Sequence, residues 1–199
     1  MNSVAPVFKA QSASSWRDEV RLQFRVTLPL AAAFLVELGI YLTDILVVGR
    51  LGSLAFGAVG LAGGLIWEFT YVGFSLLMIV GVVVAHGYGA GVKDDVATGV
   101  RMGLWIALVI SIPWMALGWF LTDLMALTGQ DPEVLAVGRL YLQAMIWHFP
   151  ATFMFMVLRQ VVTGLSKPLI ITLIMVVAVP LNLLLNIMLV FGFAGLPAV

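Results

Sequence analysis

Residues 26–49 read VTLPLAAAFLVELGIYLTDILVVG, and this stretch decides the class of fold. Only two of its side chains, Glu37 and Asp44, carry a charge at neutral pH. At a rise of about 1.5 Å per residue, an α-helix of this length crosses the hydrocarbon core of a bilayer, which is about 30 Å thick. The stretch therefore predicts a membrane-spanning helix.

The whole chain has the same apolar character. Of its 199 residues, 62% are apolar and 10% are charged, whereas a soluble domain has about 25% charged residues. Ten basic and ten acidic side chains cannot cover a core of this size, so the composition excludes a soluble globular domain. The net charge of zero argues against a nucleic-acid partner. With no cysteine and only two histidines, His86 and His148, we expect neither a metal site nor a bound cofactor.

Charged residues separate four further apolar stretches, each expected to span the membrane once: 55–86, 102–122, 134–158 and 169–191. Eight of the ten lysines and arginines then fall on one side, which the positive-inside rule makes the cytoplasm. We expect residues 1–25 to form a cytoplasmic N-terminal tail and residues 26–199 to form an all-α, polytopic helical bundle. Because the fifth span ends close to residue 199, we expect one lobe of a larger protein, truncated before a sixth helix.

Three carboxylates lie inside the predicted spans: Glu37, Asp44 and Glu68. Inserting such a group costs roughly 2.5 to 3.5 kcal/mol, so it persists mainly where it faces a cavity or a partner. Glu37 and Asp44 are seven residues apart and share one helical face, with Tyr41 between them. A carboxyl removed from water can hold a proton near neutral pH and release it to a cationic ligand, as in a proton-coupled carrier. The alternative for each carboxyl is a structural contact with a neighbouring helix.

The fifth span carries polar counterparts to these acids. Asn182 and Asn186 are one helical turn apart, and Asn186 lies at a depth similar to that of Asp44. A carboxyl and two carboxamides are therefore expected to meet in the outer half of the membrane, although asparagine also joins membrane helices without further function. His148 lies near the middle of the fourth span and is a further candidate for the cavity. A lone histidine is more often a structural hydrogen-bond donor, and we favour that interpretation.

Prolines and glycines predict where the helices bend and approach one another. Pro113, Pro150 and Pro180 each interrupt a predicted span, and they either kink it around a cavity or only mark tolerated bends. Gly60 and Gly64 form a small-xxx-small pair, which favours close packing against another helix. No Ser/His/Asp set, HExxH motif or pair of catalytic carboxylates can be assembled, so an enzyme is not predicted.

Four motifs together resemble the multidrug and toxic compound extrusion (MATE) transporter family. The first is Leu28 and Pro29 followed by TDILVVGRLG at 43–52, which is similar to the first-helix signature of that family. The second is AHGYGAG at 85–91, and the third is RQVVTGLSKP at 159–168. The fourth is PLNLLLN at 180–186, followed by Phe191 and Gly192. The motifs occur in the family's order between residues 28 and 196, and the four jointly are far more specific than any one.

This resemblance implies an amino-terminal lobe, helices one to five, of a twelve-helix transporter with a second, carboxy-terminal lobe. It implies a location in the plasma (inner) membrane with a cytoplasmic N-terminus. It also implies export of amphipathic, mainly cationic compounds in exchange for protons or sodium ions. By resemblance, Asp44 is the coupling carboxylate, with Asn182 and Asn186 as its partners. Many members have Gln at the positions of Glu37 and His86, and some proton-coupled members have Asp at that of Asn186, so the coupling ion stays open.

The leading interpretation is a secondary active antiporter in which Glu37, Tyr41, Glu68 and His148 line the substrate cavity. We expect intramembrane basic residues to be absent, which favours a cationic or neutral substrate. One alternative is a flippase of lipid-linked oligosaccharides from the same superfamily. Another is a membrane scaffold that transports nothing, in which the acids only bind neighbouring helices.

Overall fold

The computed structural model describes residues 16–127 and 129–190, and almost all of them are helical. The described residues contain no β-strand. The helices follow one another in the order α1 (Trp16–Gly49), α2 (Ser53–Leu77), α3 (Ile79–Ala90), α4 (Lys93–Ala126), α5 (Pro132–Met145), α6 (Phe149–Gly164) and α7 (Leu169–Val190). A short 3-10 turn, Ile146–His148, joins α5 to α6. The prediction of an all-α fold is confirmed for this part of the chain.

Within the described residues, five helical segments are long and apolar enough to cross a membrane: Glu19–Gly49, Ser53–Ala90, Lys93–Ala126, Pro132–Gly164 and Leu169–Val190. Each contains one of the five apolar stretches picked out in the sequence, apart from residue 191. Helix α1 begins at Trp16, so ten residues of the predicted tail continue the first helix. Residues 1–15 and 191–199 lie outside the described residues, and with them Phe191 and Gly192 of the fourth motif.

Local sequence explains where several helices begin and end. Asp131 caps α5, because its carboxylate accepts a hydrogen bond of 2.8 Å from the backbone N–H of Glu133. Pro132 follows in the first turn, where its missing N–H leaves no bond unmade. Helix α3 ends at Ala90, and Gly91 after it adopts a left-handed conformation with φ of 72°.

Two of the five spans are built from two helices each. Helix α2 ends at Leu77 and α3 begins at Ile79, close to Ser75, whose hydroxyl donates to the carbonyl of Val72. Such a bond from a serine to the preceding turn bends helices. In the fourth span, the 3-10 turn precedes Pro150, which lies at the start of α6. By contrast, α4 and α7 are each one continuous helix that includes a proline, Pro113 and Pro180 respectively.

Helices α2 to α6 share one apolar core. Its most buried large side chains come from all five of these helices and the 3-10 turn: Ile66, Leu77, Val84, Met125, Leu142, Ile146, Phe149, Phe153 and Val157. Phe69, Trp114, Phe149 and Phe153 form a chain of ring contacts through this core. The indole N–H of Trp114 donates to the carbonyl of Phe69 at 2.8 Å, which satisfies its one buried donor.

Close helix packing occurs at other glycines than the sequence predicted. A Cβ on Gly164 would lie 2.9 Å from the carbonyl oxygen of Gly81, so α6 and α3 approach backbone to backbone. A Cβ on Gly60 or Gly64 would meet nothing within 4 Å. The prediction of a tight helix contact at Gly60 and Gly64 is therefore wrong.

Helices α1 and α7 form a pair beside this core. They pack around Ala33, Ile171 and Met175, and the hydroxyl of Thr172 donates to the carbonyl of Pro29 at 2.7 Å. Helix α1 touches the other helices much less than it touches α7. The space left between α1 and α2 contains the candidate site.

Candidate functional site

A polar network connects α1 to α7. The amide nitrogen of Asn186 donates to Asp44 Oδ1 at 2.6 Å and to Asn182 Oδ1 at 3.2 Å. Thr43 Oγ1 lies 3.2 Å from Asn182 Oδ1 and 2.7 Å from the carbonyl oxygen of Ile40. The structure thus brings together Asp44, Asn182 and Asn186, the three residues that the sequence suggested would meet.

Helix geometry accounts for this network. Asn182 and Asn186 are four residues apart, which places both side chains on one face of α7. Thr43 was not singled out in the sequence, because a threonine that bonds its own preceding turn is common inside a helix. The available signal for Thr43 was that it directly precedes Asp44, so both residues lie at nearly the same depth in α1.

Asp44 lines two adjoining cavities between α1 and α2. The smaller has a volume of about 170 Å³ and is closed on one side by Tyr141 of α5. The larger has a volume of about 580 Å³ and extends along α1 toward Glu37. Gly64 borders both cavities, and its missing side chain leaves this space open.

The larger cavity combines carboxylates with aromatic rings. Glu37, Asp44 and Glu68 line it, and the rings come from Phe34, Tyr41, Trp67 and Tyr71. Glu68 is exposed and makes no hydrogen bond or ion pair with any residue that the structure describes. Carboxylates and ring faces both attract organic cations, and the ring faces also accept apolar groups. The arrangement suits an amphipathic cation.

His148 lies elsewhere. It ends the 3-10 turn, where its Nδ1 contacts the carbonyl oxygen of Met145. Its ring packs on that of buried Phe149, with 4.6 Å between the ring centroids. His148 does not line either cavity beside Asp44, so the structure gives it a packing role and not the predicted place at the cavity.

An ion pair that the sequence did not reveal lies at Glu37. Arg159 Nη1 of α6 is 3.1 Å from Glu37 Oε2, and the guanidinium carbon lies 4.7 Å from the centre of the Phe34 ring. The expectation that intramembrane basic residues are absent is therefore wrong at Arg159, which lies within the span-length segment Pro132–Gly164. The fourth span was predicted to end at residue 158, whereas the helix continues to Gly164 and includes Arg159. The apolar Val161 and Val162 that follow Arg159 were the available signal.

These features define a multi-pass helical membrane protein with a carboxylate-bearing cavity between its helices. Comparison with known proteins adds the family, because the MatE family model matches residues 29–188. The chain therefore belongs to the MATE family, as its motifs suggested. This membership places it among transporters and not among enzymes.

Several relatives carry the name "Probable multidrug resistance protein NorM". The one from Rhizobium meliloti is 32% identical over 188 residues, which are 94% of this chain and 40% of the relative. The one from Synechocystis is 33% identical over 180 residues, or 90% of this chain and 39% of the relative. The one from Bradyrhizobium diazoefficiens is 31% identical over 180 residues, with the same two coverages. The chain thus spans about two fifths of the length of these relatives.

Proposed function

We propose that this chain forms the amino-terminal lobe of a secondary active antiporter, which exports organic cations and drugs in exchange for protons or sodium ions. The observation that carries the proposal is the position of Asp44. Its carboxylate lines a cavity of about 580 Å³ and accepts a hydrogen bond from Asn186 of another helix. A group in this position contacts both a bound substrate and the network that joins α1 to α7.

Asp44 couples the substrate cation to the proton or sodium ion because its single negative charge binds either of them. The amide of Asn186 donates to the carboxylate and so stabilises its charged form. A proton or sodium ion that binds at Asp44 cancels this charge and removes the attraction for a cationic substrate. The substrate then leaves, and its next binding displaces the coupling ion. Competition for one carboxylate makes the binding of substrate and coupling ion mutually exclusive, and exchange also requires the site to open to alternate sides of the membrane.

The rearrangement that accompanies exchange is proposed to centre on α7. Pro180 has no N–H to bond to the carbonyl of Val176, so α7 is weakest just before Asn182. A change of charge at Asp44 alters the bond to Asn186, which lies on the C-terminal side of this weak point. The segment that carries Asn182 and Asn186 then moves relative to α1.

The cavity lining supports an amphipathic cationic substrate. Several matched relatives are named for multidrug resistance, which fits a cavity whose contacts are mostly rings and apolar side chains. Such contacts set few geometric requirements, so one cavity accepts substrates of different shapes.

The orientation proposed for the chain follows from its basic residues. Arg17, Arg21 and Arg25 lie in the first part of α1, and Lys93 and Lys167 lie next to helix ends at the same side of a five-span bundle. Arg50 and Arg139 lie at or near the opposite side. This bias supports a cytoplasmic N-terminus, and the plasma (inner) membrane is the proposed location. A second, carboxy-terminal lobe is proposed to complete the transporter, because the relatives extend well beyond the matched region.

Exchange in proteoliposomes tests the proposal. The complete protein is reconstituted, ethidium is trapped on one side, and an imposed proton or sodium gradient is expected to drive its movement against its own gradient. Asp44→Asn keeps the shape of the side chain and is expected to abolish the response to either gradient. Asp123→Asn, which changes an exposed carboxylate at the far end of α4, is the matched control. An Asp44→Asn protein that exchanges as fast as the parent refutes the role of Asp44.

The same preparation separates a transporter from a scaffold. If Asp44 and Glu37 only held helices together, then Asp44→Asn and Glu37→Gln would lower the melting temperature in proportion to any loss of exchange. A transporter is expected to retain its fold in Asp44→Asn while it loses coupled exchange.

A further inference from the structure

The ion pair between Glu37 and Arg159 joins the two packing units of the molecule. Glu37 belongs to α1, which pairs with α7, whereas Arg159 belongs to α6 in the larger core. The two side chains differ in access. Glu37 is 36% exposed and lines the larger cavity, whereas Arg159 is 12% exposed and is not among the residues that line it. A cation in the cavity can reach Glu37 while Glu37 stays paired with Arg159, which lies outside the cavity lining.

Arg159 has few other partners. Its Nη2 is buried and has no hydrogen-bond partner among the residues that the structure describes. The ring of Phe34 covers the guanidinium at 4.7 Å, which stabilises a cation there. A guanidinium does not lose its proton in proteins, so Arg159 stays charged. Glu37 is the one described carboxylate within 4.0 Å of it.

The charge of the cavity follows from this pair. Three carboxylates line the larger cavity, but Arg159 offsets one of them. The full negative charges of Asp44 and Glu68 therefore attract an incoming cation. The attraction of Glu37 is weaker, because Arg159 partly neutralises its charge.

We propose that Arg159 is a specificity-determining residue, which acts as a fixed internal cation on Glu37 and so weakens the binding of organic cations, most of all those with two charges. This inference rests on the proposed function, because it concerns the cavity that binds the exported cation. Arg159 acts through Glu37 and does not itself touch the substrate.

Opposite changes at the two positions have opposite effects. Arg159→Gln frees the charge of Glu37, and affinity for a monovalent cation is expected to rise on the order of tenfold, as for one added charge about 10 Å away at an effective dielectric of about 20. Glu37→Gln leaves Arg159 uncompensated, so affinity is expected to fall by a similar factor. The double variant has the parent's net charge and is expected to bind within about threefold of the parent.

Two dyes with the same ring system provide the measurement. Ethidium carries one positive charge and propidium carries two, so an electrostatic effect on propidium is expected to be about the square of that on ethidium. Fluorescence titration of the complete protein in nanodiscs gives both dissociation constants. Arg101→Gln, which removes an exposed cation from α4 outside this cavity, is the control and is expected to change neither. Arg159→Lys keeps the charge and is expected to stay close to the parent for both dyes.

The outcomes separate the inference from the function on which it rests. A parent protein that binds neither dye refutes the proposed function, and the inference with it. If the parent binds both dyes, the proposed function stands. The inference is then overturned if Arg159→Gln and Glu37→Gln shift the affinity in the same direction, or if they shift the affinities for the two dyes equally. If Arg159→Gln does not fold, Glu37→Gln and the double variant still decide, because they differ only in the charge at position 159. The double variant is then expected to bind ethidium more tightly than Glu37→Gln does, and equal affinities of these two proteins overturn the inference.

Discussion

Asn186 Nδ2 and Asp44 Oδ1 are 2.6 Å apart, and this hydrogen bond connects the two helices that lie furthest apart in the described sequence. The contact fixes Asp44 against α7 on one side while the carboxylate borders a cavity on the other. A change of charge at Asp44 therefore alters both the contents of the cavity and the packing of α1 on α7.

Asn186→Ala removes the donor and leaves Asp44 without this partner. Loss of a hydrogen bond to a charged group costs about 1.5 to 3 kcal/mol, so we expect a lower melting temperature and a large loss of coupled exchange. Asn182→Ala removes two longer contacts of 3.2 Å, with the Asn186 amide and the Thr43 hydroxyl, but leaves the bond to Asp44, so a smaller loss is expected. Thermal unfolding in detergent and exchange of ethidium in proteoliposomes measure the two effects. Coupled exchange at the parent rate in Asn186→Ala would show that the hydrogen bond has no part in coupling.

Gly64→Leu fills the cavity without disturbing the fold. A Cβ at Gly64 meets nothing within 4 Å, and leucine favours a helix over glycine by up to about 1 kcal/mol. We therefore expect an unchanged or higher melting temperature together with a loss of ethidium binding of at least about tenfold. Gly57→Leu is the matched control, since Gly57 lies on the same helix, has equally open space and does not line either cavity. Equal ethidium binding by Gly64→Leu and Gly57→Leu would show that ethidium does not bind in this cavity.

Gly164→Ala is expected to destabilise the molecule at a distance from the site. The added Cβ would lie 2.9 Å from the carbonyl oxygen of Gly81, and backbone cannot move aside as a side chain can. Overpacking of this kind costs about 1 to 3 kcal/mol, so the melting temperature is expected to drop. Gly89→Ala in α3 meets nothing within 4 Å and is expected to leave the melting temperature unchanged or raised. Similar melting temperatures for the two variants would contradict the close approach of α6 and α3.

His148→Phe keeps the ring that packs on Phe149 and removes the titratable nitrogen atoms. Because His148 lies outside the cavity, we expect ethidium exchange within about twofold of the parent. Glu68→Gln changes a carboxylate that borders the cavity and is expected to reduce cation affinity severalfold. Loss of proton-driven exchange in His148→Phe, with the fold intact, would contradict the packing role given to this histidine.

The sequence predicts the membrane spans well because the hydrocarbon core imposes a simple rule on them. Charges are costly there, so their spacing marks the five crossings that the helices show. It also indicates that Asp44 and Asn186 meet, because both helices run outward and the residues share a depth. Neither inference requires knowledge of how the helices pack against one another.

What the sequence does not predict depends on packing between distant segments. Arg159 was assigned to a loop because a charge near a span end can lie on either side of the boundary, whereas the structure includes it in α6 and pairs it with Glu37. Gly60 and Gly64 have the spacing of a packing motif, but no neighbouring helix that the structure describes lies against them, and the space beside them is a cavity. His148 has the depth of a cavity residue, yet its helix turns it toward Phe149.

Competition between ethidium and the coupling ion at equilibrium tests the central claim most directly. The dissociation constant of ethidium is measured for the complete protein across a range of pH at fixed sodium, and across a range of sodium at fixed pH. The account predicts that protons or sodium ions weaken ethidium binding in the parent, and that this dependence disappears in Asp44→Asn. An Asp44→Asn protein in which the same ion still competes with ethidium as strongly as in the parent would contradict it.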